Sequence, residues 1–266
     1  MEYEPLKRIL NSTIRRITFL RRLLYLLMDA LILRQWYVKR EIKKIIKKRP
    51  VTRFYDAGAG LCQYSYYILQ KYSGIEILSV DLNEEMLIAF SEYLTPDEEK
   101  RLLAVKADLQ NYIPARKQDI IVATDILEHI EDDLAVLTNF REAINENGYL
   151  IISTPHTGKE AGFTSEHYRE GYSKDELENK LRETGWEIIE YCHSYGFWGN
   201  LAWHLAMRFP LSIINRCKLL IILLPVYYLL VYLPVYLMML TDFKVDNKKG
   251  KGIVLVARAV EKDNIS

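Results

Sequence analysis

Asp56 stands two positions before the first of two closely spaced glycines in Phe54-Tyr55-Asp56-Ala57-Gly58-Ala59-Gly60-Leu61. Glycine accepts positive φ and lets a ligand come close to the backbone, and a helix starting just beyond offers free N–H groups. A dinucleotide site would carry a third glycine at position 63, where Gln63 stands, which disfavours a nicotinamide-dependent oxidoreductase. The ligand that suits this turn needs close backbone approach and an acidic partner but no pyrophosphate pocket. S-adenosylmethionine fits, with its zwitterionic amino-acid end and positive sulfonium.

Further polar groups follow at the ends of apolar runs. Ile75 to Val80 ends in Asp81-Leu82-Asn83, about twenty residues after the glycines, where a carboxylate would accept hydrogen bonds from ribose hydroxyls. Leu102 to Ala107 ends in Asp108-Leu109, Ile120 to Ala123 in Thr124-Asp125-Ile126-Leu127-Glu128-His129, and Tyr149 to Ser153 in Thr154-Pro155-His156. Five runs with helical patterns between them predict a parallel, Rossmann-like doubly wound α/β sheet whose carboxyl ends carry the site. His129, His156 and His167 are candidate general bases for taking a proton from a phenol or enol, and each is equally explained as a hydrogen-bonded structural histidine.

From Phe54 to about Tyr191, and again at Ile253 to Val260, the chain resembles the class I S-adenosylmethionine-dependent methyltransferases. The matching motifs are Asp56-Ala57-Gly58-Ala59-Gly60, Val80-Asp81, Ala107-Asp108-Leu109, Asp125-Ile126-Leu127-Glu128-His129 and Asn147-Gly148-Tyr149-Leu150-Ile151-Ile152-Ser153-Thr154-Pro155. The last two look most like the branch with the ubiquinone-pathway O-methyltransferases. Cys62 departs from the pattern, since many members carry a third glycine there. The resemblance implies a seven-stranded sheet with an antiparallel last strand. It also implies that Asp56, Gly58 and Gly60 line the methionine end, Asp81 the ribose, and Asp108 with Leu109 the adenine, with Leu82 and Asp125 as further cofactor-binding candidates. For Asp108 a helix cap competes with that role. The Glu166-His167-Tyr168-Arg169-Glu170-Gly171-Tyr172 stretch looks like the family's substrate-side loop. Asp125, Glu128 and His129, at i, i+3 and i+4, would share one helix face and could hold a divalent metal, against a capping and salt-bridge role.

The 266 residues suit one core domain with additions, and a net charge of +1 conceals a division. Residues 1 to 50 carry a balance of +10, and the remainder −9. Leu6, Leu10, Thr13, Ile17, Leu20, Leu24, Leu27 and Leu31 form one apolar stripe on a long helix, with Arg15, Arg16, Arg21, Arg22, Arg34 and the Lys39 to Arg49 cluster supplying cations. Pro50 stops this helix. It could lie on an anionic membrane or pack on the core with a solvated basic face. Nucleic acid is disfavoured, because aromatic and basic residues are not interleaved. Asp29 and the many charges before Leu23 argue against a signal peptide, so the helix is expected to stay in the cytoplasm. Cys62, Cys192 and Cys217 have neither metal nor disulfide spacing.

Some sixty residues separate the sixth strand, Trp186 to Tyr191, from the seventh, Ile253 to Arg258. Leu219 to Thr241 has no charge and is long enough to cross ~30 Å of hydrocarbon. The resemblance implies that the flanking strands pair in one sheet, which argues against a single span, and Phe197 to Phe209 is too short for a second. Pro225 and Pro234 are expected to interrupt the longer run. A kinked, re-entrant or in-plane hairpin is predicted, with a soluble cap or dimer interface as the alternative. The domains expected are a basic extension (1–50), a methyltransferase core (51–193), an apolar insertion (194–252) and a final strand with tail (253–266). The function expected is methyl transfer to a hydrophobic, lipid-like acceptor, most simply at oxygen, by a peripheral or monotopic protein of the cytoplasmic membrane surface. The alternatives are a noncatalytic membrane adaptor retaining the fold, and a soluble small-molecule methyltransferase with a helical cap.

Overall fold

The computed structural model describes residues 18–157, 168–216 and 218–260. Leu6, Leu10, Thr13, Arg15, Arg16, Ile17, His167 and Cys217 lie outside these. Seven strands, β1 (Arg53–Ala57), β2 (Glu76–Asp81), β3 (Leu102–Lys106), β4 (Gln118–Thr124), β5 (Ile144–Pro155), β6 (Trp186–Ser194) and β7 (Gly252–Ala259), form one sheet in the order β3-β2-β1-β4-β5-β7-β6. The first five are parallel, and β7 runs antiparallel to both β5 and β6. β6 therefore points the same way as β1 to β5, as expected.

Side chains alternate across each strand. Phe54, Ile120, Val122, Ile151 and Val256 bury one face of the sheet, and Tyr55, Ile121, Leu150, Ile152 and Leu255 the other. The first face is covered by helices α2 (Leu33–Lys48), α3 (Gln63–Lys71) and α4 (Glu84–Ser91). A short α5 (Pro96–Glu99) precedes β3, and α6 (Asp133–Ala143) and α7 (Lys174–Glu183) cover the second face.

The amino-terminal segment is two helices rather than one. α1 (Thr18–Leu31) ends where Ile32 turns extended, at φ −106° and ψ 95°, and α2 begins at Leu33. Of the expected stripe, Leu20, Leu24 and Leu31 are half-buried and Leu27 is exposed, while the fully buried positions of α1 are Arg21 and Tyr25. Arg21 was expected among the solvated cations. Its guanidinium instead lies over the rings of Tyr25, Phe90 and Tyr93 and donates to the Ala89 carbonyl, which compensates the buried charge. α2 packs Val38, Ile42 and Ile45 into the core and leaves Lys43, Lys47 and Lys48 exposed.

The insertion leaves the end of β6 and returns to the start of β7. Its first leg is α8 (Phe197–Trp203), a π-helical stretch (His204–Arg208) and α9 (Phe209–Arg216) in succession, so the helical run continues well past the expected Phe209. A 3-10 stretch (Lys218–Leu223) leads to the second leg, α10 (Leu224–Lys244). Pro225 sits in the first turn of α10, where its missing N–H costs nothing, but Pro234 does not interrupt the helix as expected. Tyr227 and Tyr228 donate their hydroxyls to the Leu205 and Ala206 carbonyls at 2.6 and 2.7 Å, pinning the legs together.

Asp242 locks this insertion to the core. It is fully buried, accepts from the Gly199 N–H at 2.9 Å and from the Tyr37 hydroxyl at 3.0 Å, and so ties α10, α8 and α2 together. A Cβ on Gly199 would meet the Asp242 carboxylate at 2.7 Å, which explains the glycine. Asp242→Ala strands buried donors and should lower stability by about 1 to 3 kcal/mol. Asp242→Asn, which keeps an acceptor, should cost less. Chemical denaturation of the two variants checks the order, and equal losses would show that volume rather than hydrogen bonding matters.

Candidate functional site

The strand order reverses between β1 and β4, so their carboxyl ends open the crevice where such sheets bind ligands. After β1 the chain turns at Gly58 (φ +68°), Gly60 (φ +52°) and Cys62 (φ +56°). The third position has the left-handed backbone a glycine would favour, so the departure at Cys62 preserves the turn at some strain. The glycines do different things. A Cβ on Gly58 would lie 2.6 Å from the Ile126 side chain, so Gly58 admits the neighbouring loop after β4, whereas a Cβ on Gly60 would meet nothing within 4 Å. Gly60 is the one that faces open space.

Carboxylates hold this turn. Asp56 is buried, and its Oδ2 accepts from the Ser65 N–H (3.0 Å) and the Ser65 hydroxyl (2.6 Å), fastening the start of α3 to β1. Asp81 accepts from the Gly60 N–H at 2.7 Å through Oδ2 and from the Asn83 N–H at 2.8 Å through Oδ1. Each oxygen keeps a further lone pair, since a carboxylate offers about four acceptor sites. Leu82 beside it is 67% exposed and offers an apolar surface. Asp108 accepts from the Gln110 N–H at 2.9 Å and from its side-chain amide, forming a local turn rather than capping a helix. The Leu109 side chain is buried in the core, and its carbonyl accepts from the Asn139 side-chain amide at 2.9 Å.

The segment after β4 differs from its sequence-based reading. Residues 127–129 form one 3-10 turn, and Asp125 has φ +52°, so Asp125, Glu128 and His129 do not share a helix face. Asp125 pairs with Arg34 of α2, Glu128 is buried against the Thr154 hydroxyl (3.2 Å), and His129 is exposed. Burial pushes the Glu128 carboxyl up, opposed by the charges of Arg34 and His129. Among the described residues no group of three or more His, Cys, Asp or Glu side chains is arranged to hold a metal ion.

Arg34 and Tyr195 escaped the sequence reading. Arg34, counted there as a surface cation, reaches from α2 to the end of β4, and its guanidinium lies over the Tyr195 ring at 5.8 Å. The Tyr195 hydroxyl accepts from the Arg34 backbone N–H at 3.3 Å. Tyr195 is the first residue after β6, and like Asp125 it has positive φ (+55°). Two strained non-glycine residues therefore meet one arginine at the crevice, and strain of this kind clusters at functional sites. Among the described residues, Arg34 Nε and Asp125 Oδ1 have no hydrogen-bond partner. These buried polar atoms, with the cradle at Gly60 and the Asp81 carboxylate, suit a ligand that carries both charges and hydroxyls. No sequence signal marked Arg34, whereas Tyr195 could have been found from its place directly after a site-directed strand.

His156 follows β5, its Nδ1 is 2.9 Å from the Thr157 carbonyl, and its ring lies 5.2 Å from that of His193. The described part of the expected substrate-side loop acts as a brace. Tyr168 and Arg169 donate backbone N–H groups to the Glu128 carbonyl, and Tyr172 donates its hydroxyl to Asp133 at 2.6 Å.

Residues 55–150 match the model of a methyltransferase domain family. Trans-aconitate 2-methyltransferase of Agrobacterium fabrum (strain C58) is 25% identical over 131 residues, which is 48% of this chain and 49% of that protein, so the match spans about half the length of this curated relative. Among solved structures, the N-methyltransferase NodS of Bradyrhizobium japonicum WM9, in complex with S-adenosyl-L-homocysteine, is similar at a TM-score of 0.55 and 10% identity, over 88% of this chain and 91% of that one. The [4+2]-cyclase SpnF is similar at a TM-score of 0.56 and 13% identity, over 83% and 81%. The chain has the class I S-adenosylmethionine-dependent methyltransferase fold, and these likenesses do not single out the ubiquinone-pathway branch.

Burial pushes the Asp56 carboxyl up to about 7, although the Ser65 hydrogen bonds pull it down. Its folded value lies above the unfolded value of about 4, so its contribution to stability is full below about pH 4 and is lost as pH rises to about 7. Relative to Asp56→Asn, the wild-type protein should therefore lose stability across that window. Urea denaturation of both at several pH values, without cofactor, checks the sign.

Proposed function

We propose that this protein transfers a methyl group from S-adenosylmethionine to a hydrophobic, lipid-like acceptor, at oxygen, at the cytoplasmic surface of a membrane. Bound in the crevice, the cofactor would supply an electrophilic methyl on a sulfonium. Asp81 would accept from the ribose hydroxyls, Leu82 would floor the adenosine, and Gly60 would let the methionine end approach the backbone. Arg34 would pair with the methionine carboxylate, giving its unpartnered Nε a partner. Asp56 would act through Ser65 by holding the turn.

The observation that carries the acceptor reading is the meeting of Arg34, Asp125 and Tyr195, because Tyr195 is the root of the insertion. An apolar structure thus begins at the crevice itself. Its far part exposes Ile222 (74%), Leu229 (81%) and Leu230 (72%), together with Val226, Leu233 and Leu237. The helical stretch Leu220–Lys244 is long and apolar enough to cross a membrane. Arg208 is exposed on the other leg, close to where Tyr227 and Tyr228 bind the Leu205 and Ala206 carbonyls. A cation at that level favours a hairpin lying in the interface, its arginine reaching the headgroups, over one that spans the bilayer.

Proton removal from the acceptor falls to His156. Donation from its Nδ1 to the Thr157 carbonyl would leave Nε2 unprotonated and able to act as a base. The motif from Asn147 to Pro155, which looks like the ubiquinone-pathway branch, supports oxygen as the methylated atom.

Asp81→Ala should weaken S-adenosylmethionine and S-adenosylhomocysteine by about 1.5 to 3 kcal/mol, the worth of a charge-assisted hydrogen bond. Arg34→Gln should weaken both but not adenosine, which lacks the carboxylate. Calorimetry separates these assignments, and an unchanged affinity in either variant would remove that residue from the site.

Mass spectrometry of lipids from cells with and without the protein identifies the acceptor. On that acceptor, His156→Ala should cut the rate about 10²- to 10⁴-fold while cofactor affinity holds. Cofactor binding with no methylated lipid would favour the adaptor reading, and a polar methylated product would favour the soluble one.

A further inference from the structure

A groove that neither Gly60 nor Asp81 lines lies between α2 and the carboxyl-terminal part of α10, with Asp29 of α1 at its edge. It encloses about 550 Å³, within the range of small-ligand sites. Its α2 wall carries Lys39, Arg40, Lys43, Lys44 and Lys47, which recur at alternating steps of one and three and so share one face of the helix. Its α10 wall is Tyr236, Leu240 and Phe243, with Trp36 packed edge-on to Tyr236 (5.5 Å) and Phe243 (5.9 Å).

Most of the cations are neutralised. Lys39 pairs with Asp29, Arg40 with Glu41, and Lys44 with both Glu41 (2.9 Å) and Glu190 (2.5 Å). Lys43 and Lys47 are exposed and have no ion-pair partner among the described residues. They sit one helical turn apart over an aromatic floor. Such a surface suits a ligand with a phosphate at one end and apolar carbons at the other. α10 supplies the continuation, because its exposed apolar face runs from Val226 to Leu237, directly above Leu240. That face is ~16 Å long at ~1.5 Å per residue, about half of the ~30 Å hydrocarbon core.

We propose that this groove is a binding site for an anionic phospholipid of the membrane, its phosphate between Lys43 and Lys47 and its acyl chains along α10. The inference rests on the membrane-surface reading above and adds a discrete lipid site separate from the crevice. Phosphate and headgroup oxygens take up the two unpaired charges, while Trp36 and Tyr236 sit at the depth where amphipathic rings are favoured. The site selects anionic leaflets and sets the orientation of the crevice to the bilayer.

The test is sedimentation of the full chain with phosphatidylcholine vesicles, with and without phosphatidylglycerol. The wild-type protein should bind the anionic vesicles more tightly. Lys43→Ala/Lys47→Ala should lose about fivefold per lysine, or roughly 25-fold, on anionic vesicles, with neutral-vesicle binding unchanged. Lys71→Ala/Lys117→Ala removes the same charge elsewhere and should change little. Equal losses in the two double variants would mean diffuse charge attraction and overturn the site. Equal wild-type binding to neutral and anionic vesicles would also overturn it but leave the membrane reading standing, whereas binding to neither would remove both. Short-chain phosphatidylglycerol should saturate one site in calorimetry. Inorganic phosphate binding as tightly as that lipid would show that the groove serves a soluble anion instead.

Discussion

The architecture depends on one backbone constraint: β7 enters the sheet between β5 and β6, antiparallel to both. Its hydrogen bonds to β5 hold Pro155 opposite Gly252, and those to β6 hold Ser194 opposite the same residue. The chain must therefore leave and re-enter the sheet at the end where β1 and β4 open their crevice. Any segment inserted between β6 and β7 is rooted at that end, whatever its composition. The apolar hairpin, its lock at Asp242 and the contact of Tyr195 with Arg34 all follow from this placement.

Charge is distributed in the same economical way. The amino-terminal segment reads as a uniform basic helix, but its cations divide by surroundings. Arg21 is taken up by three rings and a carbonyl, Arg34 by a carboxylate and a ring, and Lys44 by two glutamates. Long side chains allow this, since an arginine stem can be buried while its head finds acceptors. Lys43 and Lys47, which remain unpaired among the described residues, line a groove shared with the insertion, so basic and apolar surfaces adjoin there. That adjacency underlies the lipid site proposed for the groove.

The crevice combines firm and open parts. Asp56, Ser65 and the turn at Gly58 are tied into the core by short hydrogen bonds and by Ile126, which leaves little freedom to the first loop. Gly60, Leu82 and the atoms of Arg34 and Asp125 that have no partner among the described residues stay available. A turn held from behind and open in front is what orientation of a small charged ligand requires. The fold alone does not decide the chemistry, as its similarity to a cyclase shows.

The sequence by itself determined the sheet, the strand ends and the place of the insertion, because apolar runs of period two, glycine turns and acidic strand ends are local signals. The turn at Gly58 and Gly60 and the acidic strand ends at Asp56 and Asp81 were legible as local features for the same reason, as was the parallel direction of β6. Tertiary structure alone decided what depends on distant neighbours. The break at Ile32, the inward turn of Arg21 and the continuity of α10 through Pro234 reflect packing that no local pattern encodes. The dissolution of the Asp125, Glu128 and His129 face came from a 3-10 turn where helical spacing had been expected. Arg34 and Asp125 are ninety-one positions apart in the chain, and only the packing of α2 across the sheet brings a guanidinium to that carboxylate.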